Sequence, residues 1–125
     1  MKPYRVHLLL GLSWLIVGML LGEHMGRSGD HGQMPTHAHI MLLGGVLPIV
    51  FSLVYKTFGL TTGLLAWIQV GIHHAAALVM IVSLYMLYGD MGSEATLGPV
   101  LGIAALGAIL SVVLMLWMSL RARAD

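Results

Sequence analysis

The chain has 125 residues, of which 58% are hydrophobic and only 9% charged, and its formal net charge is +1. A soluble domain carries about a quarter charged residues, so water cannot cover this much apolar surface and a bilayer must. The near-neutral balance, with no dense basic cluster, excludes nucleic acid as a partner. The absence of cysteine excludes disulfides, thiolate metal sites, iron–sulfur clusters and covalently attached haem.

A spanning helix needs roughly 20 mostly apolar residues. The stretches Tyr4 to Leu21, Thr36 to Tyr55, Thr62 to Tyr88 and Ala95 to Leu120 meet that requirement. The segments between them, Glu23 to Pro35, Lys56 to Thr61 and Gly89 to Glu94, are short, so consecutive helices are expected to be antiparallel neighbours. The expected fold is an all-α membrane protein of four transmembrane helices in one domain, an antiparallel up-down bundle or arc. The first stretch follows a basic start, Met-Lys-Pro-Tyr-Arg. It is longer than a signal-peptide core and no Ala-x-Ala-like site follows it, so it reads as a retained helix. Lys2, Arg5, Lys56, Arg121 and Arg123 fall on one side of four spans and Arg27 on the other. The positive-inside rule then puts both termini in the cytoplasm.

Helix association in lipid rests on close packing and polar contacts. Gly18 and Gly22 in the first span supply small residues at helical spacing. So do Gly98 and Gly102, Ala104 and Ala108, and Gly107 and Ser111 in the fourth. They serve either the bundle or contacts between copies. Pro48 lies inside the second span and is expected to bend it near Gly44 and Gly45. Gln69 reads as an interhelical hydrogen-bonding group. Tyr55, Tyr85 and Tyr88 read as interface anchors, and His7 as an interfacial residue near the cytoplasmic end. No Asp, Glu, Lys or Arg falls at the membrane centre, which argues against an autonomous proton pump or pumping oxidase. No catalytic residue stands out.

Seven histidines are unevenly placed. His24, His31, His37 and His39 cluster toward the outer side, and His73 and His74 lie within the third span. Residues two apart on a helix point about 200° apart, so His37 and His39 cannot both hold one metal from one face. They can serve sites on opposite sides. Counted from the span ends, His39 and His73 differ in depth by roughly 18 Å, which makes them poor partners within one chain of straight helices. Equivalent helices of a symmetric oligomer sit at equal depth, and His37 of one copy and His39 of another differ by only about 3 Å.

The run Asp30-His31-Gly-Gln-Met-Pro-Thr-His37-Ala-His39-Ile-Met-Leu-Leu-Gly44-Gly45 resembles small bacterial membrane proteins related to subunit I of haem–copper oxidases. Those relatives read His-Ala-His-hydrophobic-Asn-Leu-Leu-Gly-Trp at the start of their second helix. Here Met41 stands for the Asn and Gly45 for the Trp. The resemblance is clearest over the first three helices. It implies a haem–copper oxidase subunit I-like repeat unit in a bacterial inner (cytoplasmic) membrane, assembled as a homotrimer that mimics the pseudo-threefold large subunit. It further implies a b-type haem between copies with His37 and His39 as axial ligands, and electron transfer or redox or gas sensing as the function, with a respiratory redox partner. His73 and His74 then look like a shifted version of the family's copper pair. Two other readings stand beside it. One is copper binding at an outer cluster of His24, Met25, His31, Met34, His37 and His39, with Asp30 orienting His31. The other is a cofactor-free accessory subunit of a respiratory complex.

Overall fold

A computed structural model describes residues 1–60 and 63–122. It is all-helical, with four helices long and apolar enough to cross a membrane: α1 (Pro3–Ser28), α2 (Met34–Thr57), α3 (Leu64–Tyr88) and α4 (Glu94–Arg121). An even number of spans returns the chain to the side on which it began. Thr62, expected to open the third span, lies outside the described residues.

Each helix begins and ends for a local reason. Pro3 occupies the first turn of α1, where a missing N–H costs nothing. The helix does not stop at Leu21 as its apolar run suggests. It continues through a polar turn in which Arg27 pairs with Glu23 at 2.6 Å, an i,i+4 contact exposed to solvent. Gly29 ends it with φ 74°, its N–H on the Met25 carbonyl, a left-handed cap that only glycine adopts at no cost. Glu23 to Ser28 are therefore helix rather than connection, and the loop after α1 shrinks to the few residues before Met34. Ser93 caps α4 by accepting the Thr96 N–H at 3.2 Å.

The first two helices meet through glycine. A Cβ on Gly11 would lie 2.9 Å from the Gly45 carbonyl oxygen and 2.9 Å from Ile49 Cγ1. One on Gly18 would collide with Met41 Sδ, and one on Gly22 would reach His37 Cε1 at 2.9 Å. In return, Gly44 admits Trp14 and Gly45 admits Leu15. This stripe lets the α1 and α2 backbones approach, the close packing that holds helices together in lipid. On α4 the small residues divide. Gly107 packs on Ala76 Cβ (3.1 Å for an added Cβ), whereas Gly98 and Gly102 face open space.

α2 is not uniform. Met34–His39 is α-helical, Ile40–Val46 is π-helical, and Leu47–Thr57 is α-helical again. Pro48 accounts for the position of the widening. In a regular helix its ring would collide with the carbonyl four residues back, and the wider turn relieves that contact. The expected bend near Gly44 and Gly45 thus takes the form of a π segment. At the end where α1 begins and α2 ends, Lys56 lies 4.7 Å from the centre of the Tyr4 ring and Arg121 lies 4.9 Å from that of Trp117. Cations over aromatic rings suit a membrane–water boundary.

Candidate functional site

His37 and His39 occupy the α-helical start of α2, and they diverge as their spacing predicts. His37 packs its imidazole against Gly22 of α1, and its buried Nδ1 has no partner among the described residues. His39 faces the other way, into an apolar groove of about 420 Å³ lined by Ala38, Leu42, Leu43, Val46, Leu47 and Val50. Its Nδ1 lies 2.8 Å from the Pro35 carbonyl oxygen. A carbonyl only accepts, so Nδ1 carries the proton and Nε2 keeps a lone pair. Nε2 has no hydrogen-bond partner among the described residues. The Pro35 carbonyl lies one turn back from the ring, and its second lone pair accepts the ring N–H. The result is a half-buried imidazole, fixed in tautomer and orientation, with its free nitrogen at an apolar surface. That is the arrangement a metal-ligating histidine needs.

A second set of histidines is buried in the bundle and behaves differently. Gln69 is its organiser. The Gln69 Nε2 donates to the Ser111 carbonyl at 3.3 Å, which fixes which way the amide points. Its Oε1 then accepts from the Tyr55 hydroxyl at 2.7 Å and from His7 Nε2, also at 2.7 Å. With the proton of neutral His7 on Nε2, its Nδ1 accepts from His74 Nε2 at 2.9 Å. His74 is left with a bare Nδ1, buried and unpartnered. All four helices contribute to this chain of hydrogen bonds. Gln69, an amide that does not take up a proton, sits at its centre and orients the side chains around it.

His7 is therefore not interfacial, and Tyr55 is not an anchor: both are fully buried. Burial is tolerated because each polar atom that enters finds a partner. Tyr55 also packs with Phe51, Ala66 and Met115. Tyr85 and Tyr88 are exposed, as interface anchors are.

His73 stands beside this chain, its ring 6.0 Å from that of His7 and 5.2 Å from that of His74. Both of its nitrogens are engaged elsewhere: Nδ1 with Ser111 Oγ at 2.9 Å, Nε2 with the Leu43 carbonyl at 3.0 Å. His73 reaches α2 only one turn beyond His39, so the depth difference of roughly 18 Å is an overestimate. The reason is an offset of the helix starts. Gln33, just before α2, donates to the Tyr85 carbonyl at 3.0 Å, which sets the start of α2 level with Tyr85 rather than with the end of α3.

The outer cluster does not assemble. His24 lies near the C-terminal end of α1, beside Met25 in a small cavity with Asp30 and Tyr88. His31 sits in the loop with Nδ1 3.1 Å from the Gly29 carbonyl. Asp30 accepts from the Gly32 N–H at 3.0 Å instead of orienting His31. Among the described residues, no group of three or more His, Cys, Asp or Glu side chains is arranged to hold a metal ion, so His24, His31, His73 and His74 form no such centre.

No protein family, curated protein or solved structure matches this chain.

Proposed function

We propose that this chain binds a b-type haem in the membrane and serves electron transfer or redox sensing, as a unit resembling one repeat of haem–copper oxidase subunit I. The observation that carries the reading is His39: Nδ1–H held by the Pro35 carbonyl, Nε2 bare, at the edge of an apolar groove. A haem supplies a one-electron couple when bound, and a ligand with a fixed tautomer and an apolar surround are what hold and tune it. Ala38, Leu42, Val46 and Val50 offer the groove wall against which a flat macrocycle fits.

The groove is open to its surroundings, so a single chain provides one wall and one ligand. A neighbouring copy completes the site, and His37 of that copy is the nominated second ligand. It lies at nearly the same level as His39, and because its Nδ1 is buried in its own chain, Nε2 is the nitrogen left to ligate. Two imidazoles fill both axial positions, which favours electron transfer over oxygen activation. A trimer and a bacterial inner membrane follow from the resemblance, and both termini in the cytoplasm follow from the basic residues.

A reduced-minus-oxidised spectrum of protein purified from haem-replete cells tests this. Sharp alpha and Soret bands are expected, lost in His39→Ala and lost or converted to a high-spin form in His37→Ala. A colourless wild-type protein that stays colourless after reconstitution overturns the proposal.

A further inference from the structure

The π segment of α2 leaves the Leu43 carbonyl without its helical partner. The Leu47 N–H, which would serve the Leu43 carbonyl in an α-helix, goes to the Leu42 carbonyl. With π spacing the Leu43 carbonyl would turn to residue 48, but that residue is Pro48 and has no N–H. Inside a bilayer an orphaned carbonyl is costly, and water is not at hand to satisfy it. The group that does so comes from α3: His73 Nε2, at 3.0 Å.

The carbonyl fixes the direction of this bond. The Leu43 oxygen only accepts, so the His73 proton sits on Nε2 and its Nδ1 must accept. Ser111 Oγ lies 2.9 Å from Nδ1 and 2.7 Å from the Ala108 carbonyl, so its one proton serves either acceptor. His73 is fully buried and Ser111 lies on α4. The ring is thus clamped between the fourth helix and the irregular turn of the second. At the other end of the same stretch, Gln33 donates to the Tyr85 carbonyl. The residues that carry His37 and His39 run between two ties to α3.

We infer that His73 is a positioning residue: by capping the Leu43 carbonyl it holds the widened turn at Ile40–Val46, and so sets the direction in which His39 faces. One extra residue in a helical turn rotates everything on its far side by about 100°. If the turn slides or closes, Met34–His39 rotates by that amount relative to Leu47–Thr57, and His39 leaves the groove. The inference rests on the haem reading for its consequence but not for its test.

The test uses haem-free protein in lipid nanodiscs. The chain has no cysteine, so a nitroxide on Ala38→Cys is the sole label. Ala38 lines the groove, and the label is expected to be as accessible to lipid-dissolved oxygen as a lipid-facing site. His73→Leu is expected to lower that accessibility to a buried value. His73→Gln, whose amide can still donate to the Leu43 carbonyl, is expected to restore it. Unchanged accessibility in His73→Leu overturns the inference. Should that variant fail to fold, ¹⁵N spectra of wild-type His73 decide: a proton on Nε2 supports the inference and one on Nδ1 overturns it. A colourless protein whose label responds to His73 removes the haem reading and keeps this one. A red protein whose label ignores His73 does the reverse.

Discussion

In the proposed haem site, ligation depends on His39 Nε2. His39 Nε2 is free because Nδ1 is committed to the Pro35 carbonyl, and that commitment comes from helix geometry one turn away. The deeper histidines show the opposite economy, with Gln69 at the centre. Replacing Gln69 with Leu strands the His7 N–H, leaves the Tyr55 hydroxyl only the Ala66 carbonyl at 3.2 Å, and takes a second donor from the Ser111 carbonyl. Tyr55→Phe removes one donor and leaves the amide its other partners. Gln69→Leu is therefore expected to destabilise the fold by about 2–4 kcal/mol and Tyr55→Phe by about 0.5–1.5 kcal/mol, checked by reversible unfolding in mixed micelles. At this scale the opposed directions of His37 and His39 were legible from their spacing alone. The partnership of His7 with Gln69 was legible in principle, since each lies only about 6–8 Å in from the same end of its helix. What the sequence hid was Tyr55, whose place near a span end looks like an anchor, and the Leu43 carbonyl, because backbone acceptors have no letter of their own.

Among the elements, α1 and α2 form the tightest pair, and glycine sets their separation. At Gly11 the obstacle to a side chain includes a backbone oxygen, which cannot rotate away. Gly11→Ala is expected to push the helices apart and cost about 1–3 kcal/mol. At Gly22 the obstacle is the His37 ring, so Gly22→Ala is expected to move that ring while sparing the fold. If His37 is an axial ligand, Gly22→Ala also shifts the haem midpoint potential, measurable by redox titration, with a smaller effect on unfolding than Gly11→Ala. Span existence was plain from hydropathy, since lipid demands long apolar runs. Span ends were not. The last turns of α1 project beyond the apolar stretch, held by the Glu23–Arg27 pair and the Gly29 cap. Apolarity reports where lipid ends rather than where a helix does. Pro48 signalled an irregularity in α2, but its form depended on α3.

For the whole molecule, the open side of the groove and the outward faces of Gly98 and Gly102 are different surfaces of one bundle. The proposed site needs a second copy, so haem content and assembly are expected to rise together. Analytical ultracentrifugation in matched-density detergent should give a larger species for red protein than for His39→Ala. Equal masses for the two would separate haem binding from assembly. The bundle itself was foreseeable from length and composition. The helix offset was not, because it depends on the Gln33 contact with Tyr85, a tertiary bond that no periodicity announces.

The widened turn in α2 also has a genetic reading. Between Pro35 and Pro48 the direction of the two histidines depends on how many residues there are, more than on which ones they are. Swapping one aliphatic residue for another in Ile40–Val46 keeps the count. Removing a single codon from that stretch closes the turn to ordinary helix and swings the histidines by about 100°. In a mutational library of this region, the in-frame deletions should therefore stand apart from the substitutions, losing the site while still inserting four spans.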